Sequence, residues 1–139
     1  FTLGGLHLDH KILFQYSSSD EIFPVPRLSG NISYYYAFRP IRNVLWVRVG
    51  LDCWANTPYY AQAYNPATMM FHNQQEVMLG NYPYANVFLT AKWKTMRIFV
   101  QYQHASENLL DNYKDSFSVP LYPYNRALIK YGICWYFDN

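Results

Sequence analysis

Along most of this chain apolar and polar residues alternate with a period of two, and the helical spacing of three and four is scarce. The run LHLDHKILFQY sets Leu6, Leu8, Ile12, Phe14 and Tyr16 on one face, with His10 among them, against His7, Asp9, Lys11, Leu13 and Gln15. In NISYYYAF, Ile32, Tyr34, Tyr36 and Phe38 oppose Asn31, Ser33, Tyr35 and Ala37. VLWVRVGLDCW places Leu45, Val47, Val49, Leu51 and Cys53 opposite Trp46, Arg48, Gly50, Asp52 and Trp54. YANVFLTAKW and MRIFVQYQH follow the same rule, and so does the closing run ALIKYGICWYF, where Ala127, Ile129, Tyr131, Ile133, Trp135 and Phe137 alternate with Leu128, Lys130, Gly132, Cys134 and Tyr136. Each run covers about 8–12 residues, the length a tilted strand needs to cross a bilayer. The pattern predicts an all-β chain of about six antiparallel strands.

The connections between these runs alternate in length. SSSDEIFPVPRLSG is long, RPIRN short, the stretch from Ala55 to Pro83 longest, KT tight, and ASENLLDNYKDSFSVPLYPYN long again. Such a rhythm fits an outer-membrane barrel with long outer loops and short periplasmic turns. With the carboxyl end in the periplasm, Phe38, Trp93, Trp135 and Phe137 fall at the periplasmic strand ends, and Tyr16 and Tyr102 at the extracellular ends. These are the two headgroup levels where aromatic girdles gather. The opposite faces carry Asp9, Lys11, Arg48, Asp52, Lys92, Arg97 and Lys130, which are expected to line the barrel interior. A soluble β-sandwich would invert the faces, with the apolar side inside. Alternation alone does not separate the two, but aromatic strand ends and charge-free apolar centres favour the membrane. Six strands are too few to close a transmembrane barrel, and an open edge in lipid is costly. The chain is therefore expected to be the carboxyl-terminal segment, residues 1–139, of one larger barrel whose other strands lie upstream. It opens FTLGGLHLD, without Met and without the pattern of a signal peptide, as a processed product or a piece of a longer chain would.

Composition sharpens this reading. Aromatics make up 20 % of the 139 residues, 15 of them Tyr, while charged residues are 14 %, against roughly 25 % in soluble domains. A net charge of +2 is too small to imply nucleic acid. Cys53 and Cys134 fall on opposite faces by parity, so no bridge between them is expected.

Two stretches, NTPYYAQAYNPATMMFHNQ and GNYPYANVFLTAKWK, bring a resemblance. The loop Asn56 to Pro66, then Phe71, Asn73 and Gln74, then Gly80 to Tyr84 leading into a strand, resemble the carboxyl-terminal part of the putative porins of Bacteroidetes outer membranes. FVQYQH at 99–104, Tyr122-Pro123, and the last strand from Lys130 to Phe137 are similar to that family as well. The resemblance is close over 44–139 and one of style over the first forty residues. It implies a large outer-membrane barrel and passive diffusion of small solutes. It also implies that Tyr131, Ile133, Trp135 and Phe137 are read as an insertion signal by the barrel-assembly machinery. Asp138 and Asn139 after the last aromatic are a modest departure from such a signal.

Chemistry is sparse. His7, Asp9 and Lys11 point to one side and could form an acid–base cluster or metal site, but no second ligand pair with metal spacing accompanies them. Ser17-Ser18-Ser19-Asp20 is turn chemistry, and no nucleophile elbow, phosphate loop or His-Glu-x-x-His occurs. No enzyme activity, metal or cofactor is expected. Five cations against two carboxylates on the polar face favour anions mildly. Trp46, Trp54, Tyr35, Phe99 and Tyr136 on that face suit a sugar-stacking track or packing against an inward-folded loop. Expected partners are membrane lipid, the rest of the barrel and the assembly machinery. The rivals to a diffusion pore are a non-transporting barrel subunit holding a surface lipoprotein or partner complex, and a soluble carbohydrate-binding β-sandwich.

Overall fold

In the computed structural model, which describes residues 2–109 and 117–137, the alternating runs become strands of one antiparallel sheet. In chain order the elements are β1 (Thr2–Leu3), β2 (Leu6–Phe14), β3 (Leu28–Ile41), β4 (Leu45–Asn56), β5 (Ala63–Asn65), β6 (Met70–His72), β7 (Tyr84–Trp93), β8 (Met96–Gln103), α1 (Ser106–Leu109), β9 (Phe117–Val119), β10 (Tyr122–Pro123) and β11 (Leu128–Trp135). The main sheet is a meander in the order β1-β2-β3-β4-β7-β8-β11, while β5–β6 and β9–β10 are small hairpins inside long connections. The described chain is thus all-β apart from the single turn α1. Residues 110–116 of the fifth connection, and Asp138 and Asn139 of the closing signal, lie outside the described residues.

Three details differ from the sequence reading. A two-residue strand, β1, precedes the six long ones and is turned into β2 through Gly4-Gly5, both at positive φ. Strand β3 runs on through Arg39 and Pro40 to Ile41, instead of stopping before RPIRN. A register shift between Phe38 and Ile41 accommodates the extra residue there, a place where a strand tolerates proline. Tyr16 and Phe137, both expected at strand ends, lie beyond β2 and β11, 80 % and 82 % exposed.

Register keeps like with like across the whole sheet. One row runs Leu8, Tyr34, Leu51, Val87, Tyr102, Ile129, and its neighbour on the reverse side runs His7, Tyr35, Gly50, Phe88, Gln101, Lys130. Side chains alternate across a strand, so pairing without slippage gives one apolar and one polar face over all the long strands. Within the described strands no Asp, Glu, Lys or Arg stands on the apolar face. Its one imidazole, His10, is bonded at Nε2 to the Tyr34 hydroxyl, 2.5 Å away.

Burial is inverted relative to a soluble sandwich. The apolar face has no second layer among the described elements: Leu89 at its centre is 42 % exposed and Ile133 68 %. The buried side chains, Tyr82, Tyr84, Asn86, His104 and Ser106 among them, gather at the loop end of the sheet on the polar side. The sheet is also open. Among the described residues nothing pairs with the outer edge of β11, nor with that of β2 past His7.

Candidate functional site on the polar face

Every polar-face residue singled out from the sequence stands on one surface. From the loop end to the turn end, the rows pass Lys11, then Asp9 and Asp52, then Lys130, then Arg48, then Lys92 and Arg97. Asp52 accepts a 2.5 Å hydrogen bond from Ser33 Oγ and faces Asn86 across the ladder. Lys92 and Arg97 are direct cross-strand partners. Charge on this face is therefore segregated, with both carboxylates in one row and three cations near the tight turns.

His7, Asp9 and Lys11 are not assembled into an acid–base group. The His7 ring stacks on Tyr35 at 4.5 Å, Asp9 faces Ser33 and Lys11 faces Asn31. Among the described residues no group of three or more His, Cys, Asp or Glu side chains could hold a metal ion. Cys53 and Cys134 are both free thiols, one on each face.

The polar-face aromatics are packed rather than aligned. The Arg48 guanidinium lies 4.9 Å from the Tyr35 ring centre and 5.8 Å from that of Trp46. Rings of Phe88 and Phe99 fill the spaces over Gly50 and Gly132. Trp54 stacks at 4.2 Å on Tyr84, its cross-strand partner at the loop end of the sheet.

The longest loop is an ordered structure of its own. Tyr59 and Leu79 exchange backbone hydrogen bonds of 2.8 Å, and the Gln74 amide donates to the carbonyls of Ala61 and Val77. Asn73 donates to the carbonyls of Glu21 and Ile22, tying the longest loop to the first one. Beneath it sits a network centred on His104, which the sequence reading missed. Parity would send His104 to the apolar face, but its φ of 59° turns it back over the polar side. There its ring stacks on Tyr84 at 4.6 Å and its backbone N–H donates to Asn86. The Asn125 carbonyl can only accept, which assigns a proton to Nδ1 and leaves Nε2 to accept from the Tyr82 hydroxyl. Ser106 Oγ, 3.1 Å from that hydroxyl, ties α1 to the same knot, and Glu107 accepts from the Ala127 N–H. Tyr124, beside these rings, has its phenol pushed up from the ordinary value by burial, with a hydrogen bond from Trp54 pulling the other way. Chain separations of about twenty to forty residues hide this cluster from any local pattern. The one legible clue was a histidine placed where the alternation breaks.

On the apolar face, Trp93, Met96 and Trp135 form a row at the turn end, with Phe38 on the same margin. The Trp135 and Phe137 rings stack at 5.5 Å. Tyr102 lies toward the loop end, between Val87 and Ile129. Tyr131 and Ile133 stand on the same exposed side.

The described sheet thus combines aromatic margins, an uncovered apolar face and a charged reverse. A family model described as a putative porin matches residues 1–139, the first forty residues included. The chain belongs to the putative porin family. Membership supports a porin-like role in general terms and fits the all-β architecture. No curated protein and no solved structure matches the chain.

Proposed function

We propose that this porin-family chain supplies part of the wall of an outer-membrane β-barrel through which small solutes diffuse. One observation carries the reading: among the described residues the apolar face of the meander is uncovered and free of charged side chains, while charge and hydrogen-bonding groups occupy the other face. Leaving so much apolar surface in water is unfavourable. Lipid removes that cost, and the polar face then lines a wet interior. The two open edges support closure by further strands of the same polypeptide, since an unpaired edge has no place in hydrocarbon. On this reading Phe38, Trp93, Trp135 and Phe137 form the periplasmic girdle, with the carboxyl end on that side, and Tyr16 and Tyr102 the outer one.

A second reading, a non-transporting subunit that docks a surface lipoprotein, draws support from the long loop. The loop presents Met69, Met70 and Phe71, the first 79 % exposed. Conductance of the full-length protein in planar bilayers separates the two, because a sealed barrel passes no steady current. Spin labels at Leu89 and Val100 test the membrane reading itself. They should be reached by oxygen dissolved in lipid and shielded from a water-soluble paramagnet, with a label at Thr90 giving the reverse. Equal access of the aqueous reagent to both faces would end the proposal. We assign Tyr131, Ile133, Trp135 and Phe137 the further role of assembly signal. Substituting Phe137 by Ala should lower outer-membrane levels in cells while leaving folding into vesicles unchanged.

A further inference from the structure

Near the tight turns the polar face carries a depression of about 290 Å³ lined by Trp46, Arg48, Thr90, Lys92, Arg97 and Phe99. Its cations are held close together by register: Lys92 and Arg97 are direct partners, and Arg48 stands in the adjacent row opposite Thr90. Like charges placed opposite each other on a ladder are unfavourable unless something of the other sign joins them. Among the described residues, none of the three forms an ion pair with a carboxylate. Asp52 is four residues from Arg48 along β4, roughly 13 Å by strand rise, and is already engaged by Ser33. Arg48 Nε is buried with no hydrogen-bond partner among the described residues, although stacking on Tyr35 and Trp46 fixes its guanidinium. A second depression, of about 410 Å³, shares Lys92 and Arg97 and adds Lys94, Thr95 and Tyr136 toward the turn.

We propose that Arg48, Lys92 and Arg97 form a subsite for small oxyanions, phosphate or carboxylate groups carried by a solute. The inference rests on the polar face being the inner wall. A planar guanidinium held in place by rings offers paired donors, a lysine adds a point charge, and Thr90 adds a hydroxyl at the same level. An oxyanion there accepts from exposed guanidinium N–H groups and the Lys92 ammonium, and offsets the Lys92–Arg97 repulsion. Asp52 shares a neighbouring depression with Arg48 but already accepts from Ser33 Oγ, and no carboxylate lines the depression that holds Lys92 and Arg97. In a diffusion pathway the site would raise the local concentration of anionic solutes over that of cations.

The test titrates inorganic phosphate into the full-length protein in an uncharged detergent at low salt, read by calorimetry. Saturable binding is expected, weakened about tenfold or more in K92Q/R97Q and lost in 1 M salt. Lys92→Arg should retain it, and Lys11→Gln, which removes a cation elsewhere on the same face, should leave it unchanged. Absence of saturable binding overturns the proposal, as does a double variant that binds like the parent. Binding of short-chain phosphatidylglycerol but not of phosphate also overturns it, giving the cluster to a lipid headgroup. In bilayers, phosphate should block chloride current in the parent protein and not in the double variant. Phosphate binding by a protein that passes no current keeps the subsite and removes the pore reading. A conducting channel without phosphate binding does the opposite.

Discussion

Gly50 on β4 lies directly against Tyr35 on β3, so close that a methyl at Gly50 would come 2.5 Å from the Tyr35 Cβ and 2.6 Å from the Tyr34 carbonyl oxygen. Both obstacles belong to, or sit on, the neighbouring backbone, which cannot swing aside. At Gly132 the obstacle is instead the far end of the Phe99 ring, 2.5 Å from a built Cβ. Gly50→Ala should therefore cost about 1–3 kcal/mol, as overpacking does, and Gly132→Ala distinctly less. The temperature at which the full-length protein loses its folded mobility on a detergent gel ranks the two. Equal losses would mean that ring and backbone yield alike.

The His104 knot holds the loop end together. Its imidazole is 5 % exposed, stacked on Tyr84 and bonded at both nitrogens. Replacing it by Ala removes its hydrogen bonds to the Asn125 carbonyl and the Tyr82 hydroxyl and opens a cavity. About 2–4 kcal/mol of local stability should be lost. Limited proteolysis would report this as cleavage within residues 57–83, with the strands themselves staying protected.

Burial holds the Tyr124 phenol above its ordinary value of 10.0. The neutral form is thus favoured when the loops are folded. The sign follows from linkage: this contribution is fully present below pH 10.0 and is lost as pH rises from there through the folded-state value. The stability difference between parent and Tyr124→Phe should be constant at neutral pH and shift against the parent above that point. Melting curves of the two at a series of alkaline pH values read it directly.

Leu89 and Thr90 are neighbours in sequence and opposites in surroundings. Leu89 lies among Val49 and Val100 on the apolar face, while Thr90 faces Arg48 and Phe99 on the other. Arginine at Leu89 should cost about 2–4 kcal/mol in a bilayer near its midplane, and arginine at Thr90 far less. Urea titration of the protein in vesicles gives both values, and comparable penalties at the two sites would argue against lipid on the Leu89 side.

Much of the sheet was readable because parity is a local property. Leu45, Val47, Val49 and Leu51 declare their common side without knowledge of any partner, and antiparallel pairing then preserves it from strand to strand. The two tight turns, at Arg42–Val44 and Lys94–Thr95, were short enough to leave no alternative pairing. The rest depended on contacts that no window can see. Pro40 fell in the short connection RPIRN, yet a shifted register lets β3 carry it. The loop from Asn56 to Pro83 has no period, and its order comes from Gln74, from Asn73 reaching back to Glu21, and from Tyr82 meeting His104. The cation cluster was visible as a list of lysines and arginines, but the gathering of Arg48, Lys92 and Arg97 is set by register.

The unequal connections also govern which length changes the molecule can absorb. A residue added to the wide span between β4 and β7 disappears into irregular chain. One added at Lys94–Thr95 moves everything after it by half a pleat, exchanging the apolar and polar sides of β8 unless a bulge like that at Phe38–Ile41 takes up the slack. Indels should therefore accumulate at one end of the sheet and be purged from the other, with the tight turns acting as frame-keepers for the strands that follow.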